Sequence, residues 1–161
     1  MLSLEITAAL NEQLTLERTA HATYRTMAFC FEKDNLPGMA KFMLKQSNDE
    51  QTHADKIAQY LADKDAEVIY AVLEAVSVNK SWTPPDYFNA ALTLEQGVTI
   101  SLKEKHGLVC NQGDPQTAAF LQWFLLEQVE GEKLIEEIID RFQRAGAGLG
   151  WEILDKTLGE M

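Results

Sequence analysis

The sequence predicts an all-α fold: a four-helix bundle with one long crossover between its second and third helices and a short fifth helix at the C-terminus. Three observations carry that prediction. Leucine, alanine, glutamate, lysine and glutamine, all good helix formers, fill long stretches, and strand-like alternation is nearly absent. Glycine and proline fall in a few clusters that cut the chain into long segments. The gaps between those segments run short, long, short, and that order sets the topology.

The first helix is expected from about Ser3 to Lys33, where Asp34-Asn35-Leu36-Pro37-Gly38 stops it. The second runs from there to about Asp65. Ala66 to Ser81 is less periodic and long enough to travel the length of a bundle. Thr83-Pro84-Pro85-Asp86 then opens the third helix, with proline in a first-turn position. Asn111-Gln112-Gly113-Asp114-Pro115 ends it and starts the fourth, which continues to about Ala145. After the glycine-rich turn at 146–150, the amphipathic segment Trp151 to Leu158 is the fifth helix. Residues 1–161 thus read as one domain, with the bundle over about 3–145 and the terminal helix over about 149–159.

Composition narrows the function. The formal charge of −11 repels nucleic acid and anionic lipid and attracts cations. No nucleic-acid partner is expected. Cys30 and Cys110 stand apart, without a CxxC, as suits a reducing compartment. The first residues, Met1 to Gln13, lack the basic start and apolar run of a secretion signal, and no apolar run reaches membrane-spanning length. A cytoplasmic protein without a membrane partner is the expectation.

The inward stripes carry the chemistry. On the first helix, Leu10, Leu14, Tyr24, Ala28 and Phe31 fall in line, and Glu17 and His21 share that stripe. The second has Met39, Met43, Gln46, Ile57 and Tyr60, with Glu50 and His53 among them. On the third, Phe88, Ala91, Val98, Leu102 and Val109 are interrupted by Glu95. On the fourth, Phe120, Phe124, Leu134 and Ile138 are interrupted by Glu127, with Gln128 and Glu130 beside it.

Singly, each break is weak. A lone Glu-x-x-His such as Glu50-Gln51-Thr52-His53 arises by chance in a helical acidic chain. His21 and His106 read as packing or surface histidines, and the tyrosines, methionines and tryptophans as core. Together, carboxylates on all four core faces, each near mid-helix, would meet at one level. Ionised carboxylates buried side by side are prohibitively costly unless a cation neutralises them. Oxygen ligands with one imidazole suit iron or manganese.

The same residues resemble the bacterial non-haem ferritins. The resemblance spans nearly the whole chain and rests on Leu10-Asn11-Glu12-Gln13, Leu16-Glu17, Glu50-Gln51-Thr52-His53-Ala54, Phe120-Leu121-Gln122-Trp123-Phe124 and Glu127-Gln128-Val129-Glu130. It implies a ferritin-like four-helix bundle that assembles as a homo-oligomeric shell of 24 subunits. Its implied activity is ferroxidase: Fe²⁺ is oxidised by dioxygen at a di-iron site within each subunit, and ferric mineral is stored in the hollow.

By that resemblance Glu17 and His53 hold the first iron, Glu50 bridges to the second, and Glu95 holds the second. Gln128 hydrogen-bonds water or oxygen species nearby, and Tyr24 matches a redox-active or hydrogen-bonding tyrosine. Glu127, Glu130 and Asp49 form an accessory iron site towards the cavity. Two positions depart from the pattern: Gly131 stands where many bacterial relatives have a glutamate, loosening the second iron, and Asp49 replaces a longer glutamate. Asp114, at the third-to-fourth turn, is a candidate for a cation entry path.

The rival readings are haem-containing bacterioferritin and a shell subunit with little ferroxidase activity. Bacterioferritins normally have methionine after the bridging glutamate and a second Glu-x-x-His in the fourth helix. Here Gln51 follows Glu50, and Glu127-Gln128-Val129-Glu130 ends in glutamate. No haem is expected.

Overall fold

The computed structural model describes residues 1–161 and resolves them into α1 (Leu4–Lys33), α2 (Pro37–Asp63), α3 (Pro84–Asn111), α4 (Pro115–Ala145) and α5 (Leu149–Gly159), with no strand. The helix boundaries follow from side-chain chemistry. Ser3 caps α1, its hydroxyl accepting from the Ile6 amide at 3.1 Å. Asn35 ends that helix with φ 58°, a left-handed conformation that its short polar side chain tolerates, and Pro37 starts α2 two residues later. At the head of α3, the Asp86 carboxylate accepts from the Thr83 amide at 2.7 Å and its hydroxyl at 2.6 Å. Asp114 caps α4, accepting from the Thr117 amide at 3.0 Å.

α1 packs along α2, α3 along α4, and the two hairpins join through α1 and α3. The crossover between α2 and α3 has no regular structure of its own, so its backbone needs other partners. Asn11 supplies two: its amide nitrogen donates to the Glu67 carbonyl at 2.9 Å and its oxygen accepts from the Ile69 amide at 2.7 Å. Arg18 donates to the Ala71 carbonyl at 2.7 Å and stacks 4.5 Å from the Tyr70 ring centre. These contacts lay the strap along α1.

The fifth helix docks on the start of α2 and the end of α4. Its Asp155 side chain accepts from the Met39 amide at 2.7 Å, which satisfies an orphan donor at the head of α2 and sets a negative charge against that helix's positive end. The approach is tight. A Cβ on Gly38 would fall 1.8 Å from the Asp155 carbonyl oxygen, so only glycine fits there.

The core is split. One apolar cluster includes Tyr24, Phe31, Met39, Met43, Phe88 and Ile138, closed by Leu154 and Leu158 of α5. The other includes Leu10, Leu14, Ile57, Leu61, Leu102, Leu121 and Phe124. Each large side chain removed from water adds about 1.5–3 kcal/mol, so both ends of the bundle are firmly held. Between them lies a layer of buried polar groups.

The expected stripes of α1, α2 and α3 face inward, with His21 and Tyr60 half-buried at their margins. That of α4 holds at Phe124 and Ile138 but is displaced by one position at Phe120, Glu127 and Leu134. Its buried residues are Thr117, Leu121, Phe124, Gln128, Ile135, Ile138 and Phe142, whereas Phe120, Glu127 and Leu134 are half-buried. The adjacent apolar pairs Phe120-Leu121 and Leu134-Ile135 satisfy the helical period in either register, one residue or about 100° apart. Packing against α3 selects the second. Gln128, not Glu127, is therefore the polar group inside the bundle.

Candidate metal centre

The polar layer comes from mid-helix positions on all four long helices. Glu17 of α1 and Glu50 and His53 of α2 belong to the first hairpin; Glu95 of α3 and Gln128 of α4 belong to the second. All five are buried. Glu50 and His53 share one face because they are three residues apart on a helix.

Three atoms define the centre. Glu17 Oε2, Glu50 Oε2 and His53 Nδ1 are the only buried side-chain nitrogen or oxygen atoms without a hydrogen-bond partner. They converge on one point: His53 Nδ1 lies 3.4 Å from Glu50 Oε2 and 3.9 Å from Glu17 Oε2, and one ligand atom from each residue fits within a 4.8 Å span. Ligand atoms with metal bonds of about 2.0–2.2 Å lie up to about 4.4 Å apart around one ion, so little adjustment is needed. Unpaired buried polar atoms are costly and rare, and a cation would satisfy these three at once.

The surroundings fix their aim. The other Glu17 oxygen accepts from Gln13 Nε2 at 2.7 Å. The His53 ring meets Trp123 and Phe124 edge-on, each at 5.6 Å between centres, which sets its plane. Burial pushes the Glu17 carboxyl well above its ordinary range, and the neighbouring Glu50 adds to the effect. Burial likewise raises Glu50, to about 8, with the charges of Glu95 and Asp49 acting in the same direction and the adjacent Glu17 carboxyl opposing them. Two carboxyls driven towards their neutral forms, chiefly by desolvation, make a candidate cation site, since a bound cation would supply the compensating charge.

The second half of the layer is organised differently. Tyr24 donates its hydroxyl proton to Glu95 Oε1. Gln128 Nε2 donates to Glu95 Oε2 at 2.8 Å and also lies 3.1 Å from the Glu95 carbonyl and 3.3 Å from Thr99 Oγ1. Thr99 in turn donates to Glu132. Glu95 therefore reaches the site with both oxygens already engaged, although each keeps a lone pair for a further ligand. Burial, reinforced by Glu95, raises the Tyr24 phenol well above its usual range, so it stays a proton donor.

A cleft of about 350 Å³ opens from this layer between α2 and α4. Asp49, Glu127 and Glu130 line it along with Glu50, His53, Glu95 and Gln128, while Lys45 places a cation at its wall. Asp49 and Glu130 are exposed and Glu127 is half-buried. These three share the cleft but not the tight cluster. Gly131 also lines it, and a Cβ there would meet nothing within 4 Å, so the space a longer side chain would fill is open.

Other sequence candidates fall elsewhere. His21 Nδ1 is 2.8 Å from the Ser47 carbonyl and 3.0 Å from its hydroxyl, a clamp between α1 and α2. The Asp114 carboxylate is engaged with Thr117, whose hydrogen bonds hold it below the usual range. Sequence reasoning assigned no role to Gln13, Ser47, Thr99, Ser101 or Lys105. Of these, only Gln13 carried a signal, one turn before Glu17 on the same face.

Comparison with known proteins gives an independent measure. A family model described as a ferritin-like domain matches residues 7–145. A bacterial non-heme ferritin of Staphylococcus epidermidis is 37% identical over 146 residues, covering 91% of this chain and 87% of that protein. Soma ferritin of Lymnaea stagnalis is 34% identical over 155 residues, covering 94% and 89%. Ferritin BfrB of Mycolicibacterium smegmatis is 34% identical over 154 residues, covering 96% and 84%.

Proposed function

The chain belongs to the ferritin family, and on that premise we propose that it is a ferroxidase that takes up Fe²⁺ at the mid-bundle layer, oxidises it with dioxygen and stores the ferric product in a shell of about 24 copies, the subunit number carried from the family resemblance. The observation that carries the reading is the convergence of the three unpartnered atoms of Glu17, Glu50 and His53 inside an otherwise hydrogen-bonded core.

Iron is the substrate, and the side chains divide the work. Glu17 and His53 bind the first Fe²⁺, and Glu50 shares its carboxylate with a second ion placed towards Glu95. Binding expels the protons that burial holds on Glu17 and Glu50. Two ferrous ions together supply the two electrons that, with two protons, convert dioxygen to hydrogen peroxide. Two ferric ions remain. Tyr24, kept protonated, orients Glu95, and Gln128 holds that carboxylate from the other side. Asp49, Glu127 and Glu130 form an accessory iron site along the cleft, the route by which ions enter and product leaves.

A second reading is favoured by the engaged oxygens of Glu95: a shell subunit that holds one ion per site and oxidises it slowly. Rapid mixing of metal-free protein with Fe²⁺ in aerated buffer, followed by absorbance and an oxygen electrode, separates the two. A dinuclear ferroxidase consumes one dioxygen for about two irons in a fast phase, which Glu17→Ala removes. Slow autoxidation that Glu17→Ala leaves unchanged would overturn the proposal.

A further inference from the structure

Lys105 of α3 is a buried ammonium that the ferroxidase reading leaves without a task. Lysine is seldom buried without a purpose, because the charge loses its hydration. Its side chain is 10% exposed, and its carboxylate partner, Glu12, lies 3.8 Å away with a side chain 75% exposed to water. Such a half-solvated pairing offsets little of the desolvation. Burial accordingly pulls the Lys105 pKa down, against the opposing pull of Glu12, Glu104 and Glu17.

What Lys105 does have is a well-defined hydrogen-bond chain. Its Nζ donates to Ser101 Oγ at 2.5 Å. Ser101 Oγ donates to Gln13 Oε1 at 2.9 Å. Gln13 Nε2 donates to Glu17 Oε1 at 2.7 Å. The chain therefore runs from α3 into α1 and ends on a ligand of the metal centre.

The direction of every link follows from the first. An ammonium only donates, so Ser101 must accept from it, and the one serine proton is then aimed at Gln13. Gln13 must accept through its carbonyl oxygen, which leaves its amino group facing Glu17. The opposite flip would set two oxygens against each other once Glu17 is ionised to take a metal. With one Glu17 oxygen held, the other is left free and points at His53 Nδ1.

We propose that Lys105 is a positioning residue for iron binding: acting through Ser101 and Gln13, it fixes the orientation in which Glu17 offers its free oxygen to the first metal ion. This rests on the ferroxidase reading for what the metal is, but on the hydrogen-bond chain alone for what Lys105 does.

The test uses the assembled, metal-free protein and Co²⁺, a redox-inert stand-in for Fe²⁺ whose absorption reports its ligand set. Lys105→Met keeps the length of the side chain and removes the donor. It is expected to weaken Co²⁺ binding at the first position about tenfold and to alter the Co²⁺ spectrum, while Lys105→Arg, which still donates to Ser101, restores most of the affinity. Ser101→Ala breaks the same chain and should give a similar loss, and the double variant should be no worse than either single one, since links of one chain do not add. A role confined to packing predicts changed thermal stability with unchanged Co²⁺ affinity and spectrum; that result in Lys105→Met overturns the proposal. Should Lys105→Met fail to assemble, normal Co²⁺ affinity in Ser101→Ala overturns it equally. Glu17→Ala separates the two readings. If it abolishes Co²⁺ binding while Lys105→Met and Ser101→Ala bind normally, only the positioning role fails. If Glu17→Ala itself binds normally, the metal centre fails.

Discussion

Replacing Glu50 by glutamine should make the metal-free protein more stable and the iron-binding protein worse. Burial raises the Glu50 carboxyl from its ordinary 4.5 to about 8. The sign follows from proton counting. As pH rises from about 4.5 to about 8, the unfolded chain releases this proton and the folded chain retains it, so the folded state loses stability across that window. At about 1.4 kcal/mol per pH unit, the loss reaches about 3 kcal/mol at pH 7. Glutamine is nearly the same size and has no proton to release, so Glu50→Gln removes this contribution. For a chain of this length, about 3 kcal/mol corresponds to about 6–12 °C in thermal midpoint. The assay is circular dichroism melting of chelator-treated protein at pH 5 and pH 7. The wild type should melt lower at pH 7 than at pH 5; Glu50→Gln should show a smaller difference and the higher midpoint at pH 7. The same variant should bind Fe²⁺ more weakly in calorimetric titration. A variant that melts below the wild type at pH 7, or a wild type equally stable at both values, would refute the reasoning.

Four further outcomes follow from contacts elsewhere in the bundle. Gly131→Glu fits into open space on the cleft wall and should raise the number of ferrous ions retained per subunit after gel filtration under anaerobic conditions, with little change in melting temperature. Asp155→Ala removes the acceptor that caps α2 and should cost about 1 kcal/mol, read as a lower melting midpoint and as faster amide exchange at Met39; Gly38→Ala, which drives a Cβ into the Asp155 backbone, should loosen α5 more severely. The Asp86 and Asp114 carboxyls are held below their usual range by Thr83 and Thr117, so their contribution is present above about pH 4 and is lost as pH falls through their lowered values. Asp114→Asn should therefore flatten the acid limb of the stability curve in urea titrations at pH 3 to 5.

The sequence was most legible where a pattern was broken. Glu17, Glu50 and Glu95 each interrupt an apolar stripe, and an interruption on a core face has few inexpensive explanations. Helix ends were legible because Ser3, Pro37, Thr83 and Asp114 act on backbone a few residues away. Features that depend on distant chain segments were not. Lys105 follows Lys103 and Glu104, a run that reads as a solvated face, and only the packing of α1 on α3 brings it to Gln13 through Ser101. Asp155 looks like an ordinary charge on a short helix until α5 is laid across the start of α2. The register of α4 was ambiguous for a local reason, because doubled apolar residues fit two faces.

The division of ligands between hairpins bears on the order of binding. Glu17, Glu50 and His53 all stand on α1 and α2, which pack closely along their length. On the proposed function, a first ion would close a site whose three candidate ligands already lie near the separation a metal needs, without movement of α3 or α4. The proposed second ion would instead have to join Glu50 to Glu95 across the two hairpins, displace or share the hydrogen bonds from Tyr24 and Gln128, and do so without a ligand at Gly131. Preorganisation favours the first position and its absence weakens the second. A storage protein gains from that imbalance. Under the proposed function, the firmly held ion would keep the carboxylates neutralised, while the loosely held one would leave along the cleft between α2 and α4, past Asp49, Glu127 and Glu130. The apolar clusters on either side keep the bundle closed while the layer between them changes charge.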